Sequence, residues 1–150
     1  MKEKVLAAFA ELGFELTPVD EFGYSFEYEN IHLLYTPTDN DEEFLCICIP
    51  GFYELESENA MAFIELMHRI NSTLKYVKAY ALGENLWLFY ERELQGNEDL
   101  PQLISRMVLH LEAALIFARK ALSEILSDDK SCGDEDGKNV HIVSDPVFKS

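Results

Sequence analysis

The chain has 150 residues and a formal net charge of −16, from 28 acidic and 12 basic side chains, and 48% of its residues are hydrophobic. That length suits one domain, and that apolar fraction excludes a wholly disordered chain. Because so negative a field repels phosphate backbones, the composition argues against nucleic acid as a partner. Most of the carboxylates are expected to form a solvated surface, although the same charge could attract a basic partner.

The first predicted element is an amphipathic helix near the N-terminus. Its apolar residues recur at helical spacing, and the glycine that follows them is the favoured residue just past a helix end. These positions are Val5, Leu6, Phe9, Leu12 and Gly13. The apolar run over residues 5–10 is too short for the hydrophobic region of a secretory signal, and Glu11 interrupts it.

Three strands are predicted next, as a meander. Residues 22–28 alternate with period two, so their aromatic side chains share one face. Those aromatics are Phe22, Tyr24, Phe26 and Tyr28. The second and third strands cover residues 31–36 and 44–49. Pro50 and Gly51 are expected to break the sheet after the third strand.

A helix and two further strands follow. The helix covers residues 58–72, after Ser57, whose residue type often caps helix N-termini. Its apolar arc of roughly 160° is wider than contact with a single sheet face requires. The strands cover residues 75–82 and 86–91, and the loop of residues 83–85 has the composition of a hairpin turn.

The strongest periodic signal predicts a long helix over residues 100–126. Asp99 is its expected cap, and Pro101 lies in its first turn. Beyond it the chain becomes acidic and poor in large apolar residues, so residues 127–150 are predicted to be a disordered tail. Docking of the last residues as a short strand is the alternative.

The expected architecture is one α+β domain over residues 1–126. It has a five-stranded antiparallel sheet and three helices, in the order α-β-β-β-α-β-β-α. With the segments ELGFEL, residues 11–16, and FGYSFEY, residues 22–28, this order resembles the class I type III secretion chaperone fold. It also resembles the YbjN-like family that shares this fold, whose members are often labelled bacterial sensory transduction regulators.

The resemblance implies a homodimer that binds an extended segment of another polypeptide. It rests on element order, size and charge, so no family site residue carries over to a numbered position. The first functional interpretation is a YbjN-like regulatory or chaperone-like protein, and the second is a dedicated type III secretion chaperone. Fold alone does not fix function.

A cysteine pair offers the one chemical alternative, a thiol-dependent enzyme that uses Cys46 or Cys48. His32, on the neighbouring predicted strand, could serve as the base. Apolar flanks raise a thiol's pKa and make it inert, so the pair is interpreted as two small hydrophobes. Because both faces of residues 44–49 are apolar, we expect a helix to cover one face and another helix or a second subunit to cover the other.

No other pattern in the sequence indicates chemistry. The histidines do not cluster near the cysteines, and the glycines form no phosphate-binding motif. The acidic run over residues 39–43 lacks the glycine and glutamate of a calcium loop and is predicted to be a solvated turn. We therefore expect no metal, no cofactor and no enzyme activity.

Location is inferred from two further features. No run approaches the roughly 18 apolar residues of a membrane span. Three cysteines, an odd number, do not indicate a disulfide framework. The chain is therefore expected to be cytoplasmic and to make no membrane contact.

Two surfaces are candidates for binding. The long helix carries an apolar strip opposite its core stripe, flanked by basic residues, which predicts contact with a partner or a second subunit. The strip consists of Leu109, Ala113, Ile116 and Phe117, with Arg106, Arg119 and Lys120 beside it. Aromatics of the last two strands could instead line a peptide groove, although core burial is the commoner fate of such residues. They are Tyr76, Tyr80, Trp87 and Phe89.

Overall fold

A computed structural model describes residues 1–37 and 43–134 of the chain, with the backbone alone for residues 129–134. The α+β class and the order of the three predicted helices among the strands are confirmed. The elements are α1 (Lys2–Glu11), β1 (Thr17–Val19), β2 (Gly23–Tyr28), β3 (Ile31–Tyr35), β4 (Phe44–Glu54), α2 (Ala60–Thr73), β5 (Val77–Leu82), β6 (Asn85–Glu93) and α3 (Leu100–Asp134).

The strands form one antiparallel sheet in the order β1-β2-β3-β4-β6-β5. All three helices pack on the same face of this sheet, because their buried residues share one core with alternate strand positions. The largest fully buried members of that core include Phe9, Leu33, Leu45, Ile47, Leu66, Leu86, Leu88, Ile104, Met107 and Leu111. Two layers, helices over sheet, therefore make up the described part of the domain.

The sheet has six strands rather than the predicted five, since β1 was missed. β1 is only three residues long, and its register joins Thr17 to Ser25 and Val19 to Gly23. Pro18 in its middle cannot donate to a ladder, which made the segment look unlike a strand. The structure places it at the sheet edge, where proline is tolerated.

The expected break at Pro50 and Gly51 is wrong, because β4 continues to Glu54. The register shifts between Ile49 and Tyr53, so the intervening residues form an irregularity of the β-bulge type. A proline is tolerated there because bulged residues leave the regular ladder. The sequence signal therefore marks a bend in β4 and not its end.

The predicted Ser57 cap is also wrong, because α2 begins at Ala60 with Asn59 at the N-cap position. The Asn59 side-chain amide forms hydrogen bonds with the preceding turn instead of capping the helix. Its Nδ2 donates to the Glu54 carbonyl (2.8 Å), and its Oδ1 accepts from the Glu56 N–H (2.7 Å).

The start of α3 is confirmed, and its end lies further along the chain than predicted. Asp99 Oδ1 accepts from the Gln102 N–H at 3.2 Å, as expected of an N-cap. The helix runs to Asp134, beyond the predicted end at residue 126. Residues 135–150 of the predicted tail lie outside the described residues, as do residues 39–42 of the predicted acidic turn.

Candidate protein-binding surfaces

The sheet face that lacks helices carries a row of aromatic side chains. An antiparallel sheet covered on one side usually turns polar residues outward on the other. Here the outward positions of β5 and β6 bring Tyr80, Trp87 and Phe89 together. The ring centroids of Tyr80 and Phe89 lie 4.2 Å apart, and those of Phe89 and Trp87 lie 5.8 Å apart. Phe22 extends the row, with its centroid 6.1 Å from that of Trp87.

This aromatic row, Phe22, Trp87, Phe89 and Tyr80, contains one residue that sequence reasoning placed wrongly. Phe22 was assigned to the same strand face as Tyr24, yet β2 begins at Gly23 and Phe22 lies in the turn before it. Gly23 has a φ of 110°, and a Cβ there would clash with the Tyr35 carbonyl oxygen. A glycine is therefore required at the point where the chain turns into β2, and the period-two pattern does not extend across it.

Beneath the row lies a floor of three small or medium apolar side chains, Leu34, Cys46 and Cys48. Cys48 pairs with Leu34 on one side and with Phe89 on the other. The floor is buried, with Cys48 at 0% exposure, although the helices pack on the opposite face. Within the described residues no helix covers this side of β4, and the floor has two rings of the row as neighbours: Phe89 pairs with Cys48, and Tyr80 lies near both thiols.

The two cysteines of the floor have the properties of packed hydrophobes. Both are free thiols. Burial raises the pKa of Cys46 and of Cys48, which disfavours the nucleophilic thiolate. Across residues 1–37 and 43–128 no hydrogen bond joins either thiol to a histidine, so the geometry does not supply the base that a thiol enzyme requires.

The aromatic row is partly open to solvent and has charged neighbours. Phe22 is 46% exposed and Tyr80 is 42% exposed, whereas Trp87 and Phe89 are half-buried. Burial raises the pKa of Tyr80, and the nearby thiol of Cys46 and the carboxylate of Glu91 raise it further. The row therefore presents accessible ring surface in an environment that disfavours added negative charge.

Tyr76 does not belong to this surface, although the predicted groove included it. Its ring stacks on Tyr90, with centroids 5.6 Å apart, and lies 5.3 Å from the His110 ring on the helix side of the sheet. Its φ of 72° is unusual for a bulky residue and marks a turn of the backbone just before β5. Sequence alternation does not show this turn, and so it groups Tyr76 with Tyr80.

The strip predicted on α3 is exposed. Leu109 is 49% exposed and Ile116 is 59% exposed, and Ala113 between them is also exposed. Phe117 differs, because it is half-buried and packs against the core. The strip is therefore not buried on a second side within the described chain.

The basic residues beside the strip are also open to solvent. Arg106, Arg119 and Lys120 are exposed, and in the described part of the chain none of them forms an ion pair. Near the N-terminal end of the strip, an open cleft of about 590 Å³ lies between α1 and α3, lined by Leu12, Pro101 and Leu109 among others.

The outer edge of the sheet at β5 is occupied by a side chain, an arrangement we call the Asn71 clamp. Asn71 Nδ2 donates to the Ala79 carbonyl at 2.8 Å, and the Ala79 N–H donates to Asn71 Oδ1 at 2.7 Å. The neighbouring Val77 N–H donates to the Lys75 carbonyl at 2.8 Å. Edge groups of this kind would otherwise be free to pair with another strand.

The crystal structure of YbjN from E. coli, described as a candidate transcription regulator, superposes with a TM-score of 0.60. The match covers 85% of this chain and 93% of YbjN, at 11% sequence identity. The fold is YbjN-like. No protein-family model matches the chain, and no curated protein is a significant sequence match.

The YbjN-like fold agrees with the expected α+β class and three helices, although the sheet has six strands and not five. It fixes no site, because identity this low shows the fold alone. Among the described residues, no group of three or more histidine, cysteine or acidic side chains is arranged to hold a metal ion.

α3 needs separate comment because of its hydropathy. Its segment Leu100–Asp128 is long and apolar enough, by length and composition, to cross a membrane, with a mean hydropathy of 1.3 in its most apolar window. The core helix of a soluble protein passes the same test. In this fold the apolar stripe of α3 is buried, with Ile104, Met107 and Leu111 at 0% exposure.

Proposed function

We propose that the chain is a non-catalytic protein-binding module, of the YbjN-like regulatory or chaperone-like kind. It works as a homodimer and binds a segment of another polypeptide in the cytoplasm. The aromatic row on the helix-free face is the binding surface for that segment, and the strip on α3 is the contact between subunits. The observation that carries the proposal is the aromatic row.

A surface of this kind is suited to binding protein. Tyrosine and tryptophan are enriched among the residues that dominate interface energies, since they supply large, rigid and partly polar contact area. Tyr80 and Trp87 sit in a row over a buried floor, so a ligand would meet preorganised rings and not mobile side chains. Exposed apolar patches larger than single residues commonly mark such sites.

The α3 strip supports the dimer. Leu109 and Ile116 lie two turns apart on one helix face, and both are about half exposed. A second subunit would bury them, while the flanking arginine and lysine side chains would meet the acidic surface of the partner.

The segment-binding proposal is tested by affinity capture from cells of the source organism, with matched variants as bait. Tyr80→Ser removes one ring of the aromatic row, whereas Tyr76→Ser removes an exposed ring on the other side of the sheet. We expect wild type and Tyr76→Ser to retain the same polypeptide and Tyr80→Ser to lose it. Equal capture by all three baits would show that the row is not the site. Capture of one secreted protein through its N-terminal segment would indicate a dedicated secretion chaperone.

The dimer is tested separately by size-exclusion chromatography with light scattering. Wild type is expected at the mass of two 17.2 kDa chains. Leu109→Asp and Ile116→Asp should shift it to one chain with an unchanged circular dichroism spectrum. Ser57→Asp, which adds the same charge at an exposed position in the turn before α2 and away from α3, is the control. Unfolding by the strip variants, or a monomeric wild type, would contradict the proposed contact.

A further inference from the structure

We infer that the aromatic row binds a basic amphipathic helix of the partner, laid across the sheet as a third layer, and not an extended strand. This inference rests on the proposed function and adds the conformation and charge of the bound segment. Three observations support it: the state of the sheet edges, the shape of the row and the distribution of charge around it.

The sheet edges offer little for strand addition. A polypeptide that joins a sheet as an extra strand needs free N–H and C=O groups along an edge strand. At β5 the Asn71 clamp occupies both backbone groups of Ala79, and the Val77 N–H is bonded locally. At the opposite edge β1 is three residues long and contains Pro18, which has no N–H. These edge features disfavour strand addition at those positions and favour recognition by the face of the sheet.

The shape of the row fits a helix. Four rings follow one another with centroid separations of 4.2, 5.8 and 6.1 Å, which joins β5, β6 and the turn before β2 in one continuous apolar patch. The apolar stripe of an amphipathic helix presents side chains at successive turns and can contact a patch of this kind. On the covered face of the same sheet, helices already pack against the apolar side chains of the strands.

The charge around the row indicates a basic ligand. Strand alternation places Glu27, Glu91 and Glu93 on the helix-free face, with Lys78 as the basic residue of that face on β5 and β6. The whole chain carries a formal net charge of −16, which adds to the negative field at this face. Lysine or arginine on the flanks of the bound helix would complement this field, whereas an acidic helix or nucleic acid would be repelled at low salt.

The test uses the fact that Trp87 is the single tryptophan of the chain and lies in the row. Three synthetic peptides of equal length are titrated into the full protein while Trp87 fluorescence and far-ultraviolet circular dichroism are recorded. The first has leucine and lysine at helical spacing, and the second has the same composition in strict alternation. The third keeps the helical spacing but carries glutamate in place of lysine.

We expect the helical basic peptide to give a saturable change in Trp87 emission and a gain in helical signal. It should bind at least about tenfold more tightly than the alternating peptide, and Tyr80→Ser and Phe89→Ala should each weaken it by about tenfold. Tyr76→Ser should leave it unchanged. Added salt should weaken it, because part of the attraction is between exposed charges.

Contrary outcomes separate this inference from the proposed function. Tighter or equal binding of the alternating peptide, without a gain in helix, would overturn the helical inference and leave the row as a protein-binding site. If the glutamate peptide bound as tightly as the helical lysine peptide, the inference that the bound segment is basic would be wrong. If no peptide binds, or if binding ignores the row variants, the row is not the site and both proposals fail. A change in Trp87 emission with protein concentration alone would show that a second copy covers this face.

Discussion

The two faces of the sheet are built from the same strands, yet they bury their apolar residues by different means. On the covered face, Leu45 and Ile47 belong to the core that the sheet shares with the helices, and they have no exposed surface. On the helix-free face, Cys46 and Cys48 are buried beneath the protein's own aromatic rings. Burial of a strand on both sides therefore does not require two external layers, because a row of rings can shield small residues.

The residue types on each face follow from this difference. Branched aliphatic side chains interdigitate with helices, and each one fully buried contributes about 1.5–3 kcal/mol. Large rings laid over a sheet leave limited space below them, and two of the three floor residues, Cys46 and Cys48, are small. The covered face is thus organised for stability, and the helix-free face retains ring surface that a partner can use.

Adjacent residues of β6 provide the strongest test of this comparison. Leu88 is fully buried on the covered face, whereas Phe89 is half-buried on the helix-free face. Leu88→Ala should lower the free energy of unfolding by about 2–5 kcal/mol, because it leaves a cavity in the core. Phe89→Ala should lower the free energy of unfolding by clearly less, since the Phe89 ring already contacts solvent. Urea unfolding followed by circular dichroism measures both, and equal losses would mean that something covers the helix-free face in the native protein.

The pH dependence of stability should come from the floor of the helix-free face. Burial holds the pKa of Cys46 and Cys48 above the ordinary value of 9.0, so the thiols stay protonated in the folded chain while they ionise in the unfolded one. The contribution of the protonated thiols to the free energy of unfolding is fully present below pH 9. It is lost as pH rises towards the raised folded-state pKa values, by at most about 1.4 kcal/mol per pH unit for each thiol.

This loss can be measured by urea unfolding at several pH values between 8 and 10. The variant Cys46→Ala/Cys48→Ala is the matched control and should show a much flatter profile. An identical slope in wild type and variant would mean that the thiols are not shielded by the aromatic row.

The Asn71 clamp provides the smallest of the three predicted effects on stability. Asn71→Ala removes two hydrogen bonds to Ala79 and should lower the free energy of unfolding by about 1–3 kcal/mol. It should also free the β5 edge, so light scattering is expected to show faster association at high protein concentration. Ser72→Ala, at the neighbouring exposed position, should change neither quantity. A stable and non-aggregating Asn71→Ala would show that the clamp is not what protects this edge.

Much of the fold could be predicted because its helices and most strands have clear periodicity. The stripe of α3 and the alternation in β6 each follow from which side of the element meets the core. The exposed strip at Leu109 and Ile116 was also visible, since a helix core needs only one stripe.

The errors arise where the backbone departs from a regular period. Pro18 concealed an edge strand, and Pro50 marked a bulge instead of a strand end. Phe22 and Tyr76 were assigned to faces by alternation, although turns with positive φ at Gly23 and at Tyr76 itself redirect the chain. Which aromatics meet in the row therefore depends on tertiary turns that no local pattern encodes.

The pairing of β4 with β6 has a consequence for how the chain assembles. Strands β1 to β4 follow one another as local hairpins, and β5 and β6 form a second local unit. The β4–β6 ladder connects these two units and pairs strands that α2 separates in the sequence. Such non-local pairing is slow compared with hairpin formation. Leu34 and Cys48 belong to the first of these units, while Phe89 and Tyr80 belong to the second. The binding surface comes into existence only when the two halves have joined, so a ligand of the row distinguishes the finished molecule from its folding intermediates.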